Sequence, residues 1–408
     1  MKITLYNPPN WYYSEQKDLG RIYPLLSLPL IAKVLKRAGH SVNVVDLEAL
    51  KLEPKDIIAA GQDIIGFNVI LANKRGAYDC IKQLRKQGYS GKIVTGGNHA
   101  THAPQESIDA GADLVVTGEC EGNIVQLLKT TGIQAGQGVA IEDVPIPDWD
   151  CHSPSVDTYK GHTKFLEKPA VTMWTRGCPF SCIFCGNNIF NHRATKYRPV
   201  ENIAKEMQYL RDRWSFKSAY VYDDELIGTH HPEGWIDGLV ERIGPMRYNL
   251  AAQGRCSERY ITPGLMKRIK QIGVSVVFWG VESLSNETLK NINKKTTVDD
   301  IFHSLKVSKE AGIKNAIFFQ VGNYKETQEQ AKETYQNLKK LKEYTDEFRV
   351  FITQVRDGTP LAEIAKSEGW YTPLPDGWRT QRVTNLDTPW MTRGQIEYWQ
   401  AKYYEAMK

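Results

Sequence analysis

The chain lacks any apolar run approaching the ~20 residues that a membrane-spanning helix needs, so no membrane span is expected of it. Its amino terminus, Met1-Lys-Ile-Thr-Leu-Tyr6, lacks the charged, then apolar, then small-residue plan of a signal peptide. It reads instead as a first strand, and the expected location is the cytoplasm. The net charge of +5 comes without a long basic block, so a mixed solvated surface and no nucleic-acid partner are expected. There is no internal repeat. A disulfide framework is also missing, because an odd cysteine cluster in a chain without a secretory signal does not pair off. Cys80, Cys120, Cys151 and Cys256 are scattered and read as small buried apolar residues.

The chain does carry Thr-Arg-Gly-Cys-Pro-Phe-Ser-Cys-Ile-Phe-Cys-Gly-Asn-Asn from Thr175 to Asn188, which sets Cys178, Cys182 and Cys185 in a Cys-x3-Cys-x2-Cys array. Three thiolates this close are soft ligands suited to iron-sulfur or zinc chemistry. They also leave one metal position unfilled. On a 4Fe-4S cluster that position is an iron open to an external ligand, whereas a structural zinc site would need a fourth donor such as His192 or Cys256.

At 408 residues the chain is long enough for two cores. The opening ~130 residues alternate short apolar runs with helical ones, the pattern of a parallel sheet wound with helices. Strands are expected at 3–6, 42–46, 64–68, 92–95 and 114–117, and an amphipathic helix over 25–38 is closed by Gly39. Ligands of such a sheet bind beyond the carboxyl ends of its strands. The segments there are Asn7-Pro-Pro-Asn10, Asn68-Val-Ile-Leu71, Gly96-Gly-Asn-His-Ala-Thr101 and Gly118-Glu-Cys-Glu-Gly122. Gly96-Gly97 either lets a bulky ligand approach the backbone or makes a turn. From 131 to 169 the periodicity fades and prolines accumulate, which reads as a linker. Beyond it, strands are expected at 218–222, 249–253, 274–279, 315–319 and 348–353, with helices between them, over a domain of 170–360. The last ~45 residues, 361–408, form an aromatic-rich helical extension whose rings either cover a core or line a pocket.

With Phe184 ahead of its last cysteine and the apolar run Ala170-Val-Thr-Met-Trp174 before it, the triad resembles the signature of radical S-adenosylmethionine (radical SAM) enzymes. That resemblance implies a 4Fe-4S cluster on Cys178, Cys182 and Cys185, SAM on the open iron, and a partial (β/α)6 barrel whose strand ends carry the SAM contacts. On the matching positions these are Phe184, Asp224 and Glu225 of Tyr222-Asp-Asp-Glu225, Arg255, Glu282 and Ser283 of Trp279-Gly-Val-Glu-Ser283, and Gln320. The residues themselves leave helix capping open for Asp223 or Asp224. The chain departs from the family at Asn323-Tyr324, where Pro-Gly is usual.

The first 130 residues resemble the Rossmann-like cobalamin-binding domain that precedes the barrel in the class B methyltransferases of that family. By that resemblance Asn7, Pro8, Asn68, Val69, Gly96, Gly97, Asn98, His99, Ala100 and Glu119 would contact cobalamin. The Asp-x-His-x-x-Gly motif that ligates cobalt in other cobalamin domains is here Asp46-Leu-Glu-Ala-Leu-Lys51, without histidine. His99 could ligate cobalt or touch the corrin periphery. The activity implied is methylation of an unidentified organic substrate with a flavodoxin or ferredoxin as reductant. Non-methylating rearrangement or cyclisation, and a cluster-bearing sensor without turnover, are the alternatives.

Overall fold

The computed structural model describes residues 1–10, 23–57, 61–160, 164–187, 193–372 and 387–408. It separates into two compact units, one drawn mainly from Met1–His162 and the other mainly from Thr172–Leu374 with the carboxyl-terminal stretch.

The first unit is a seven-stranded parallel sheet. Its strands are β1 (Lys2–Asn7), β2 (Ser41–Asp46), β3 (Ile64–Asn68), β4 (Lys92–Gly96), β5 (Leu114–Thr117), β6 (Gly132–Ala135) and β7 (His152–Ser153), in the order β6-β5-β4-β3-β1-β2-β7. Near-continuous apolar strands are what a sheet covered on both faces requires. Ile64 joins Ile3, Leu5, Leu28 and Leu35 on one face, while its neighbour Ile65 joins Tyr6, Phe67, Ile81 and Leu84 on the other. β1 lies between β2 and β3, so the loops leaving β1 and β3 part from one another. That is the switch point at which doubly wound sheets open a crevice.

The linker reading of 131–169 needs correction. β6 pairs with β5 through Gly132 to Ala135, and β7 pairs with β2 at His152 and Ser153. Segments this short have too few residues to show a two-residue apolar alternation; pairing with an already buried neighbour makes them strands.

The second unit is a partial (β/α)6 barrel. Its sheet contains β8 (Ala170–Thr172), followed after the short ribbon of β9 (Thr175–Arg176) and β10 (Lys196–Tyr197) by β11 (Ser218–Val221), β12 (Asn249–Gly254), β13 (Val274–Glu282), β14 (Lys314–Val321) and β15 (Glu347–Ile352). The order β15-β14-β13-β12-β11-β8 follows the chain, as successive right-handed crossovers produce. Trp279 on β13 donates Nε1–H to Asn315 Oδ1 at 2.8 Å, and Asn315 donates to the Leu305 carbonyl of helix Val298–Glu310. From the other side of the strands, Tyr220, Phe278, Phe318 and Phe351 form a ladder with successive ring centroids 5.6 Å apart.

The aromatic tail covers rather than extends this unit. Helix Arg393–Met407 starts from a Thr392 capping box and buries Ile396, Trp399 and Tyr403. At β15, an edge strand, Val350 N–H donates to Tyr404 Oη at 3.2 Å and the Val350 carbonyl accepts from Gln400 Nε2 at 3.0 Å. Side chains of the last helix therefore satisfy an edge that would otherwise recruit a further strand. Trp378 lies outside the described residues. Among the described residues no helix is long and apolar enough to cross a membrane.

Candidate cofactor sites

In the first unit, the expected contact residues converge on the carboxyl ends of β1, β3, β4 and β5. Asn73 joins two of these ends, since its Nδ2 donates to Asn7 Oδ1 at 3.3 Å and to the Asn68 carbonyl at 3.0 Å. Asn7 Nδ2 donates to Asp46 Oδ1 at 2.6 Å, and Tyr159 donates to the other Asp46 oxygen at 2.7 Å. Pro8 is buried beside them. Asp46 is thus consumed in the framework, and also caps Ala49 N at 3.0 Å. Glu48, at the position of the absent histidine, is buried and accepts from Asn10 N–H.

The Gly96-Gly97 turn stands against β3. Val69 N–H donates to the Gly96 carbonyl at 2.7 Å, and His99 N–H donates back to the Val69 carbonyl at 3.0 Å. Gly97 has φ +101°, and a Cβ there would lie 2.5 Å from Asn68 Oδ1 and 2.9 Å from the Val69 carbonyl oxygen. The glycine is required by this close approach of two loops. Asn98 is exposed, Ala100 is fully buried, and Thr101 Oγ1 accepts Gly118 N–H at 2.9 Å, which ties in the loop after β5. Glu119 in that loop lies against Gly136 and Gly138 beyond β6. His99 is 6% exposed, and its Nε2 lies 2.9 Å from Glu106.

In the second unit the cysteine loop is held at its base and at its middle. β9 and β10 pair antiparallel, with Thr175 opposite Tyr197, so the triad sits in the loop of a two-stranded ribbon. Asp223, at the end of β11, accepts Trp174 N–H at 2.8 Å, Thr175 N–H at 2.9 Å and Thr175 Oγ–H at 2.8 Å. Burial nevertheless pushes its carboxyl up to about 7. Asp224 accepts from Gly177 N at 3.2 Å and from Asn187 Nδ2 at 2.6 Å, gripping both ends of the loop. Asn293 donates to the Ser181 carbonyl and hydroxyl at 2.8 and 2.9 Å, while Ile183 N–H donates to the Ile292 carbonyl at 3.1 Å.

Two buried cations approach this loop. Arg255 is 3% exposed, with its guanidinium 3.7 Å from the Phe180 ring centroid and Nη1 3.6 Å from Cys182 Sγ. Among the described residues its Nε and Nη2 have no hydrogen-bond partner. Buried donors left unsatisfied are costly, and a planar fork with open positions matches a carboxylate or other anion. Lys294 pairs with Glu282 Oε1 at 3.0 Å, and Glu282 Oε2 accepts from Gln320 Nε2 at 2.9 Å. Glu282 has φ +67° where the register of β13 against β14 slips, a bulge of the kind that re-aims a side chain. Glu225 accepts Arg255 N–H at 3.1 Å, and burial pushes its carboxyl up to about 8. Burial likewise pushes the Cys178 thiol up to about 12, with Glu225 adding to the rise. Thiolate at this position needs a compensating positive centre, which a metal supplies while displacing the proton.

The structure does not bring every expected residue to the site. Ser283 is turned away: its hydroxyl lies 3.1 Å from Thr334 Oγ1 and accepts Ser285 N–H, because successive strand residues face opposite sides. Phe184 packs with Ile183 against Val355, Leu361, Ala362 and Ala365. The Asn323 departure is structural, since Asn323 is buried and its N–H and that of Gly322 both donate to Glu326 Oε2. Of the zinc alternatives, His192 lies outside the described residues and Cys256 is buried, its thiol bonded to Ser304. Among the described residues no three His, Cys, Asp or Glu side chains are set to hold one metal ion. A three-thiol donor set with an unsatisfied buried guanidinium beside it fits a larger cluster carrying an anionic outside ligand. Lys294, Asn293, Asn73 and Glu106 carry no signal in the sequence, where they read as surface polar residues.

The family model described as "Radical SAM superfamily" matches residues 172–338, and that described as "B12 binding domain" matches residues 18–128. Among curated proteins, an uncharacterised methyltransferase of Pyrococcus horikoshii is 25% identical over 95% of this chain and 87% of its own length. The hopanoid C-3 methylase of Methylococcus capsulatus is 25% identical over 78% of the chain. The anaerobic magnesium-protoporphyrin IX monomethyl ester cyclase of Cereibacter sphaeroides is 22% identical over 82%. The chain spans 64% of the methylase and 59% of the cyclase. Among solved structures, the radical SAM methyltransferase TsrM of Kitasatospora setae, with cobalamin and a 4Fe-4S cluster bound, superposes with TM-score 0.70 at 15% identity, over 98% of this chain and 84% of that one.

Proposed function

We propose that this chain, a member of the cobalamin-dependent radical SAM enzymes, is a methyltransferase that moves a methyl group from methylcobalamin to a carbon radical on its substrate. Membership carries with it a 4Fe-4S cluster, SAM and cobalamin. The observation that supports the assignment of residues is the cysteine loop, clamped by Asp223, Asp224 and Asn293 while the open donors of Arg255 lie beside Cys182. Cys178, Cys182 and Cys185 would hold the cluster. Arg255 would bind the SAM carboxylate, and Glu282, fixed by Lys294 and Gln320, would accept from a hydroxyl or ammonium group of SAM. When bound, the cluster and SAM supply a 5'-deoxyadenosyl radical and the corrin supplies the methyl group.

The protein's own contribution is orientation and a fixed field, since the cofactors carry the difficult chemistry. In the first unit, Gly97 lets two loops close, and Asn7, Asn68 and His99 are held in place by Asn73, Val69 and Glu106. On this reading the cobalamin unit runs past residue 130 to include β6 and β7. The electron donor is a flavodoxin or ferredoxin, and the site of action is the cytoplasm.

The test is anaerobic reconstitution followed by incubation with SAM labelled in its methyl group. Release of 5'-deoxyadenosine with label in the product is expected. The relationship to a cyclase supports a second reading, ring formation with the same cofactors. Product of altered mass without label would establish that reading and remove methyl transfer.

A further inference from the structure

The histidine of the loop after β4 has a partner that the sequence did not point to. Helix Asn98–His102 carries His99, and the next helix, Pro104–Asp109, carries Glu106. Three donors converge on one oxygen of Glu106. His99 Nε2 is at 2.9 Å, Lys74 Nζ at 3.2 Å and Tyr78 Oη at 3.2 Å, the last two from helix Lys74–Lys86. With His99 foremost among the causes, the Glu106 carboxyl is lowered to about 2. It is therefore ionised and acts only as an acceptor, so His99 Nε2 carries a proton and donates it. Among the described residues only Nε2 of the ring is hydrogen-bonded, which leaves Nδ1 for a ligand. The same loop is tied to its neighbours at both ends, by His99 N–H to the Val69 carbonyl and by Gly118 N–H to Thr101 Oγ1.

We propose that Glu106 is a positioning residue for corrin binding: it orients the His99 imidazole so that Nδ1 meets a carboxamide arm of the corrin periphery, and not the cobalt. The His99 side chain is only 6% exposed. Cobalt lies at the centre of a broad flat macrocycle, and a nitrogen can ligate it only by standing clear of its surroundings. A ring sunk among packed side chains cannot do so. A flexible amide arm of the corrin edge needs only one approachable ring nitrogen to form an oriented hydrogen bond. The inference rests on the cobalamin reading of this unit.

The test uses the full chain titrated anaerobically with hydroxocobalamin and followed by absorbance. It is repeated for Glu106→Ala, Glu106→Gln, His99→Ala and Tyr78→Phe. Loss of one oriented hydrogen bond predicts binding weakened about five- to tenfold in Glu106→Ala and His99→Ala. Glu106→Gln, which retains an acceptor, should fall between these and wild type. Tyr78→Phe removes another donor from the same carboxylate and should stay within about twofold of wild type. A second readout does not depend on affinity: electron paramagnetic resonance of bound cob(II)alamin in protein labelled with 15N-histidine. An unchanged axial hyperfine pattern is expected, whereas a nitrogen splitting that alters with the label would show ligation of cobalt and overturn the proposal. Wild-type affinity in Glu106→Ala, or equal weakening in Tyr78→Phe, would overturn it as well. If the wild-type protein takes up no corrin, the cobalamin reading falls together with this one. Corrin uptake that is indifferent to Glu106 defeats the positioning role alone.

Discussion

Replacing Asp223 with alanine should loosen the cysteine loop at its root. The side chain accepts three hydrogen bonds from Trp174 and Thr175, the residues that lead from β8 into the loop. At ~1 kcal/mol net for each bond, the loss is about 3 kcal/mol. Relief from burying a carboxyl offsets part of it and bare buried donors add to it, so we expect about 2–4 kcal/mol near neutral pH. For a unit of this size that lowers Tm by on the order of 10 °C. The pH dependence has a definite sign. The folded pKa of about 7 lies above the unfolded value of 3.8, so the stabilising contribution is complete below pH 3.8 and is lost as pH rises through about 7. The gap between wild type and Asp223→Ala, measured by urea unfolding, should therefore be widest at about pH 4 and below, smaller at pH 5, and narrowest towards pH 8. Iron bound per chain after anaerobic reconstitution should drop in parallel. Stability within about 0.5 kcal/mol of wild type at pH 5, or a gap that widens with pH, would refute the reasoning, because either result means these bonds do not hold the loop.

Cys182→Ala should abolish both the iron-sulfur absorbance and the release of 5'-deoxyadenosine; full turnover in this variant would falsify the assignment of the triad. Lys294→Met leaves the buried Glu282 carboxylate unpaired and should destabilise the second unit by about 3 kcal/mol, with most of that recovered in the Lys294→Met, Glu282→Leu double variant. Equal melting curves for the two variants would count against that pairing. Gly97→Ala forces a Cβ to within 2.5 Å of Asn68 Oδ1 at a positive φ. It should cost about 1–3 kcal/mol and weaken corrin uptake, read by thermal melting and by absorbance titration. Gln400→Ala uncovers a carbonyl on the β15 edge and should promote concentration-dependent association on light scattering.

The segments at the carboxyl ends of the strands were legible because they are short and adjoin clearly periodic elements. β3 is expected at 64–68 and found at Ile64–Asn68, and helices such as Val200–Trp214 and Gln328–Leu341 fall between the strands of the second unit, as the sequence pattern leads one to expect. The family resemblance singled out Asp224 and Arg255, which lie just past β11 and β12, whereas Glu282 and Gln320, expected past strands ending at 279 and 319, stand inside the longer β13 and β14. β6 and β7 escaped, since four and two residues leave no period to read.

What the amino-acid order determined by itself was therefore local: where elements begin and end, and which residue types stand at their carboxyl ends. Only the tertiary structure divided the labour among neighbours. It made Asp223 a buckle, Asp224 a grip on the loop and Glu225 a buried acceptor, turned Ser283 away from Glu282, and gave Lys294 and Glu106 their partners. The physical reason is separation along the chain. Asn293 reaches Ser181 across 112 residues and Arg255 reaches Cys182 across 73, and such meetings are set by how helices and strands pack, not by any spacing in the sequence.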